Sequence, residues 1–155
     1  MSDASLSQRY LCFSLGNEKF ALPLLQVREV IAPPKITPIP QAPAFCLGLM
    51  NLRGEVITVL DLRKKFSIQG EDSSELSVVI CELGKVSVGL MVDQINQVLS
   101  PRPEDLSERP SVAGGKFSEA ITGVCRLDKA LVLFVDINRA LDGVDLQGLS
   151  QGKAA

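Results

Sequence analysis

The sequence has no histidine and no tryptophan among its 155 residues, and aromatics make up only 5%. Without an imidazole, any general base would have to be a carboxylate or a thiolate. The zinc arrangements that mix cysteine and histidine are excluded as well. The four cysteines, Cys12, Cys46, Cys81 and Cys125, are more than thirty residues apart and form no CxxC pair. Each lies in an apolar stretch, which reads as a set of buried free thiols, so neither a metal nor a cofactor is expected. Also missing are a G-x-S-x-G elbow, a P-loop and a G-x-G-x-x-G after a strand. Asp61, Asp93 and Asp136 fit turn or cap positions better than an acid–base pair. The sequence therefore reads as non-catalytic.

Other absences narrow the partners. No apolar run approaches the roughly 18 residues a membrane helix requires. The polar start, Met1-Ser2-Asp3-Ala4-Ser5, lacks the basic-then-apolar layout of a signal peptide, so a cytoplasmic location is expected. A net charge of −2 offers no broad basic face for nucleic acid or an anionic bilayer. The single basic cluster, Arg63-Lys64-Lys65, reads as a solvated face after a strand.

What is present is apolar content of 46%, arranged in short alternating runs that repeat. Tyr10–Ile31 aligns without gaps on Val78–Leu99, at an offset of 68 residues (78 − 10). Gly48–Phe66 aligns on Gly123–Leu141, at an offset of 75 residues (123 − 48). The same order in both halves indicates a duplication. Each half reads as a hairpin turning on Gly16 or Gly84, then a third segment, then a second pair of strands. The third segments, Val27–Ile31 and Ile95–Leu99, fit a strand or a helical turn equally well. Asp61 and Asp136 each follow a last strand and precede a helix-like stretch, which marks them as structural N-caps. Five short strands per half predict an all-β fold of two small five-stranded barrels sharing an interface.

The expected layout is a flexible N-terminal tail over 1–7, one domain over 8–142 and a flexible C-terminal tail over 143–155. Within the domain, lobe one is placed at 8–66, the linker at 67–75 and lobe two at 76–142. Pro33–Pro43 reads as an extended loop or edge. Its counterpart Ser100–Ala120, longer by seven residues (75 − 68), is expected to be the most mobile part.

The two halves differ at one turn. Arg53-Gly54 in the first half aligns with Asp128-Lys129 in the second, and Glu29 aligns with Gln97. The hairpin can therefore be built without an arginine, and neither the Arg53 guanidinium nor the Glu29 carboxylate has a counterpart at its aligned position. Glu29 and Arg53 are expected to pair on the surface of lobe one. An exposed pair contributes only about 0–1 kcal/mol to stability, so orienting a binding surface is the better reason for it.

Asn51-Leu52-Arg53-Gly54 followed by Val59-Leu60-Asp61-Leu62-Arg63, with Val27-Arg28-Glu29-Val30 and Gly89-Leu90-Met91-Val92-Asp93, resembles the CheW family of chemotaxis coupling proteins. The resemblance covers roughly residues 8 to 142; Thr58 departs from it, where the family often carries proline. It implies two SH3-like five-stranded barrels around a shared core and no catalytic activity. It also implies two partners, the signalling tips of chemoreceptor helical hairpins and the regulatory domain of the histidine kinase CheA. The partner-binding surface it implies involves Val27, Glu29, Gly48, Asn51, Arg53 and Gly54, with an apolar groove between the lobes for receptor helices. Val27 or Ile31 would serve as apolar anchors. Alternatives with the same fold are an adaptor of a pilus-motility or other chemosensory array and an inhibitor competing for the kinase. A ligand-carrying regulatory subunit using the groove is a third, and would require a deep enclosed pocket.

Overall fold

The structure, a computed structural model, describes residues 9–68, 76–108, 120–127 and 130–141. The tails, the linker over 69–75, the loop over 109–119 and the second-half turn at Asp128-Lys129 lie outside the described residues.

The first half runs β1 (Tyr10–Leu15), β2 (Glu18–Pro23), a 3-10 turn (Leu24–Gln26), β3 (Val27–Ile31), β4 (Cys46–Leu52), β5 (Glu55–Asp61) and α1 (Leu62–Lys65). The second half runs β6 (Ser77–Leu83), β7 (Val86–Val92), β8 (Gln94–Leu99), a 3-10 turn (Pro103–Asp105), β9 (Leu106–Glu108), β10 (Ile121–Leu127), β11 (Ala130–Val135) and α2 (Ile137–Ala140). The ambiguous third segments are strands in both halves. Asp61 and Asp136 cap the two helices alike. Each accepts from the backbone N–H groups two and three residues on, at 2.9 and 3.4 Å for Asp61 and 3.0 and 3.4 Å for Asp136.

The duplication extends to irregularities. β3 carries a bulge at Arg28 against β6, and β8 carries one at the aligned Asn96 against β1. β4 and β10 carry matching bulges at Leu47 and Thr122. A bulge re-aims the strand and its side chains, so its retention in both copies preserves the curvature of each sheet.

The sheets do not follow the sequence halves. One is ordered β8-β1-β2-β11-β10-β9 and the other β3-β6-β7-β5-β4. The opening hairpin of each half leaves its own strands and inserts between strands of the other, through parallel pairs β2–β11 and β5–β7. The lobes are therefore not the contiguous spans 8–66 and 76–142. The first sheet also has six strands where five were expected, because the longer second-half loop contributes the short β9.

The exchange has a physical reason in the packing. Leu11, Phe13, Leu15, Phe20 and Leu22 from the first hairpin and Val79, Cys81, Val88 and Leu90 from the second join one central cluster. The alternate residues face the other way. Cys12 and Ala21 pack with Leu99, Val132 and Phe134 inside the six-stranded sheet; Val78 and Ile80 pack with Met50, Ile57 and Val59 inside the five-stranded one. The exchanged strands are thus buried on both faces and read as continuous apolar runs. Each fully buried side chain of this kind contributes about 1.5–3 kcal/mol, and a shared cluster compensates for the small core of a sixty-residue lobe.

Two expectations need correction. Cys12, Cys81 and Cys125 are buried free thiols, but Cys46 is only half-buried. Burial pushes the Cys81 thiol up to about 12. The basic cluster is not simply solvated: Arg63 is largely buried and paired with Asp93 at 3.3 Å, and the Lys65 ammonium lies 4.5 Å from the centre of the Phe45 ring.

Candidate functional site

The β4–β5 hairpin turns on two residues, Arg53 at φ 51° and Gly54 at φ 90°. Both are in the left-handed region. Glycine adopts it freely, whereas a residue with a Cβ is strained there by about 1–2 kcal/mol. Asparagine is the usual choice at the first position of such a turn. Asn51 supports the turn from one side, its Oδ1 accepting the Gly54 N–H at 2.8 Å. An arginine held in a strained turn conformation is explained by its side chain, not by the turn.

That side chain reaches β3. Arg53 Nη2 donates to both Glu29 oxygens, at 3.0 and 2.8 Å. The Glu29 carboxyl is held below the usual carboxylate range by this hydrogen bond and by the charges of Arg53 and Arg28. Beside it, Arg28 Nη1 donates to Glu55 Oε1 at 2.7 Å. The Arg28 bulge lets adjacent residues of one strand engage the same hairpin. β3 and β4 are the two ends of the five-strand order. The two ion pairs therefore tie the strand at one end of the sheet to the hairpin at the other with side chains.

Four of the expected site residues, Glu29, Asn51, Arg53 and Gly54, meet at this tip. Gly48 does not. It is buried at φ 139°, and a Cβ there would lie 2.1 Å from the Thr37 carbonyl oxygen. Thr37 and Leu49 exchange backbone hydrogen bonds at 2.8 Å, so Gly48 lets the proline-rich segment close over the β4 edge. Val27 packs against the central cluster and Ile31 against the five-stranded sheet's own cluster. The apolar residue that β3 exposes is Val30, at 41%. Arg28 and Glu55 escaped the sequence reading, although they carry the same signal as Glu29 and Arg53. Their aligned partners are Asn96 and Ala130.

At the other end of β5, Ile36, Leu47, Leu76 and Met91 wall a half-open cleft of about 490 Å³, whose polar groups are Asp61, Arg63 and Asp93. Asp61 is committed to its cap. Asp93 bonds Arg63, accepts the Gly16 N–H and donates its own N–H to Ser14 O at 3.0 Å. These groups fasten the first hairpin to α1 and to the β7–β8 junction.

An all-β frame with an arginine-bearing tip in one copy has the character of a docking scaffold. The family described as CheW-like domain matches residues 9–145, and the chain belongs to it. It is 33% identical to the chemotaxis protein CheW of Klebsiella aerogenes over 147 residues, covering 94% of this chain and 89% of that one. It is 30% identical to the chemotaxis protein CheW of Treponema pallidum over 143 residues, covering 89% and 84%. The crystal structure of the scaffolding protein TtCheW from Thermoanaerobacter tengcongensis superimposes with a TM-score of 0.80 at 28% identity, covering 88% of this chain and 89% of that one. The fold is that of two SH3-like units, and the function is that of a chemotaxis adaptor in the family that couples chemoreceptors to CheA. No helix among the described residues is long and apolar enough to cross a membrane.

Proposed function

We propose that this chain works without catalysis in the cytoplasm, docking a chemoreceptor signalling tip and the CheA regulatory domain, with Arg53 as the polar anchor of a docking surface on the five-stranded sheet. The observation that carries the reading is an arginine strained into a left-handed turn, bonded bidentately to Glu29 and yet 63% exposed. Both bonds to Glu29 leave from Nη2, so the Nε and Nη1 edge keeps donors to offer a partner. That edge matches a carboxylate on the partner, because the planar fork donates two parallel hydrogen bonds. Asn51 and Gly54 shape the tip, Val30 supplies apolar contact beside it, and Val27 and Gly48 act through the backbone they hold.

The cleft favours this reading over a ligand carrier, since its polar groups already bond one another. Arg53→Ala and Arg53→Glu test the proposal by calorimetric titration against purified receptor-tip fragment and purified CheA regulatory domain. At least one affinity should fall about tenfold or more, and Arg53→Glu should be worse, since it repels a partner carboxylate. The melting temperature should stay within about 3 °C, as for loss of an exposed pair. Unchanged affinity for both partners would overturn the assignment of Arg53.

A further inference from the structure

We propose that Arg28 and Glu55 are positioning residues: their ion pair holds the Arg53–Glu29 pair in its docking geometry without itself contacting the partner. This rests on the reading of Arg53 as partner-facing and adds a second pair to it.

Three observations carry the inference. The first is adjacency, since Arg28 precedes Glu29 on β3 and Glu55 follows the Arg53-Gly54 turn, so each ion pair spans the same two segments. Glu55 Oε1 sits 2.7 Å from Arg28 Nη1 while Glu29 lies 2.8 Å from Arg53 Nη2. Two parallel links constrain the hairpin tip against β3 more tightly than one.

The second is exposure. The Arg28 side chain is 29% exposed, whereas Arg53 is 63% exposed. Of the two guanidiniums, Arg28 is the more covered; Glu55, at 43%, is the member of this pair that a partner could reach.

The third comes from the other copy of the repeat. The bulge at Arg28 recurs at Asn96, but Asn96 turns to its own sheet, where its Oδ1 accepts from Ser14 Oγ at 3.0 Å and lies 3.8 Å from Cys12 Sγ. Glu55 aligns with Ala130. The bulge and hairpin thus form without this pair, so sheet closure alone does not account for it.

The position of Arg28 also defines what its loss would do. It is flanked by Glu29 and Glu55, and both carboxylates favour its charged form. Without Glu55, Arg28 becomes free to compete for Glu29 and draw it from Arg53. Without Arg28, Glu55 becomes free to compete for Arg53.

The test uses the full chain with Glu55→Gln and Arg28→Gln, neither of which changes side-chain size enough to threaten folding. The first readout needs no partner. Slow guanidinium rotation, reported by the Arg53 Nε–H and Nη–H NMR signals, should be lost or accelerated in both variants. Unchanged Arg53 signals overturn the inference. The second readout is affinity for purified CheA regulatory domain and purified receptor-tip fragment. Each variant should weaken whichever interaction Arg53→Ala weakens, by about fivefold, and should add nothing in an Arg53→Ala background. Equal weakening in both backgrounds means that Glu55 or Arg28 touches the partner itself, which also overturns a positioning role. An Arg53→Ala chain that binds both partners normally sinks the docking assignment instead, and the NMR signals alone then decide whether the second pair holds the first.

Discussion

The two copies of the repeat share their strands, bulges and helix caps, and they differ where charge is placed. At the hairpin facing β3, the first copy carries Arg28, Glu29, Arg53 and Glu55; the aligned residues of the second are Asn96, Gln97, Asp128 and Ala130. At the junction after the opening hairpin the asymmetry reverses. The second copy has Asp93, buried and bound to Arg63 and Gly16, and the first has Leu25, which is 98% exposed. Shared features build the fold, and unshared ones specialise a face of it. The buried asymmetry around Asp93 locks the first hairpin to the rest of the molecule, whereas the exposed one at Arg53 can serve binding.

The sharpest way to break this comparison is at the junction. Asp93→Ala removes a buried carboxylate that bonds both the Arg63 guanidinium and the Gly16 N–H, and should cost about 3–5 kcal/mol in urea unfolding. The aligned Leu25→Ala should change stability by less than about 0.5 kcal/mol. Similar losses for the two would mean that the junctions are energetically alike.

A smaller contrast is expected at the paired glycines beside the β4 and β10 bulges. Gly48→Ala combines a left-handed φ with a Cβ driven into backbone, and should lose about 3 kcal/mol. At Gly123 the added Cβ meets Ser107 O at 3.3 Å, a contact that a small shift relieves. Gly123→Ala should lose about 1 kcal/mol or less. If Gly48→Ala instead kept full stability and lost partner binding, the glycine would belong to the docking surface after all.

The smallest effect is the most specific. Arg53→Asn places the preferred residue in the left-handed turn and should stabilise the chain by about 0.5 kcal/mol while weakening partner binding. Loss of stability in that variant would mean that the Glu29 pair contributes more to the fold than its exposure allows. Lowering the pH probes the same pair in the wild type. Its contribution is complete above the ordinary carboxylate range and is lost as pH falls through the lowered pKa of Glu29.

The alternation of Leu11, Phe13 and Leu15 and the spacing of the turns revealed strands, because the period of two is a local property of the chain. The Asp61 and Asp136 caps were legible for the same reason. The Glu29–Arg53 pair could be read because the repeat supplies its own control, a second copy without those charges. Arg28 and Glu55 carried the same signal, but nothing in sequence spacing shows that a bulge aims Arg28 at the hairpin. Arg63, read as solvated, is tied down by Asp93, thirty residues further on.

Most of the strands, the turns, the duplication and the confinement of an Arg–Glu pairing to one copy were legible in the sequence, because all depend on neighbours along the chain. Which strands pair was settled by packing in three dimensions. The apolar faces of both opening hairpins are interchangeable in hydrophobicity, and burial is non-directional, so pattern alone could not say that each would cross into the other's sheet. That exchange made one core of two, brought Asp93 onto Arg63, and set the ends of a sheet close enough for Arg28 and Glu29 to grip the hairpin opposite.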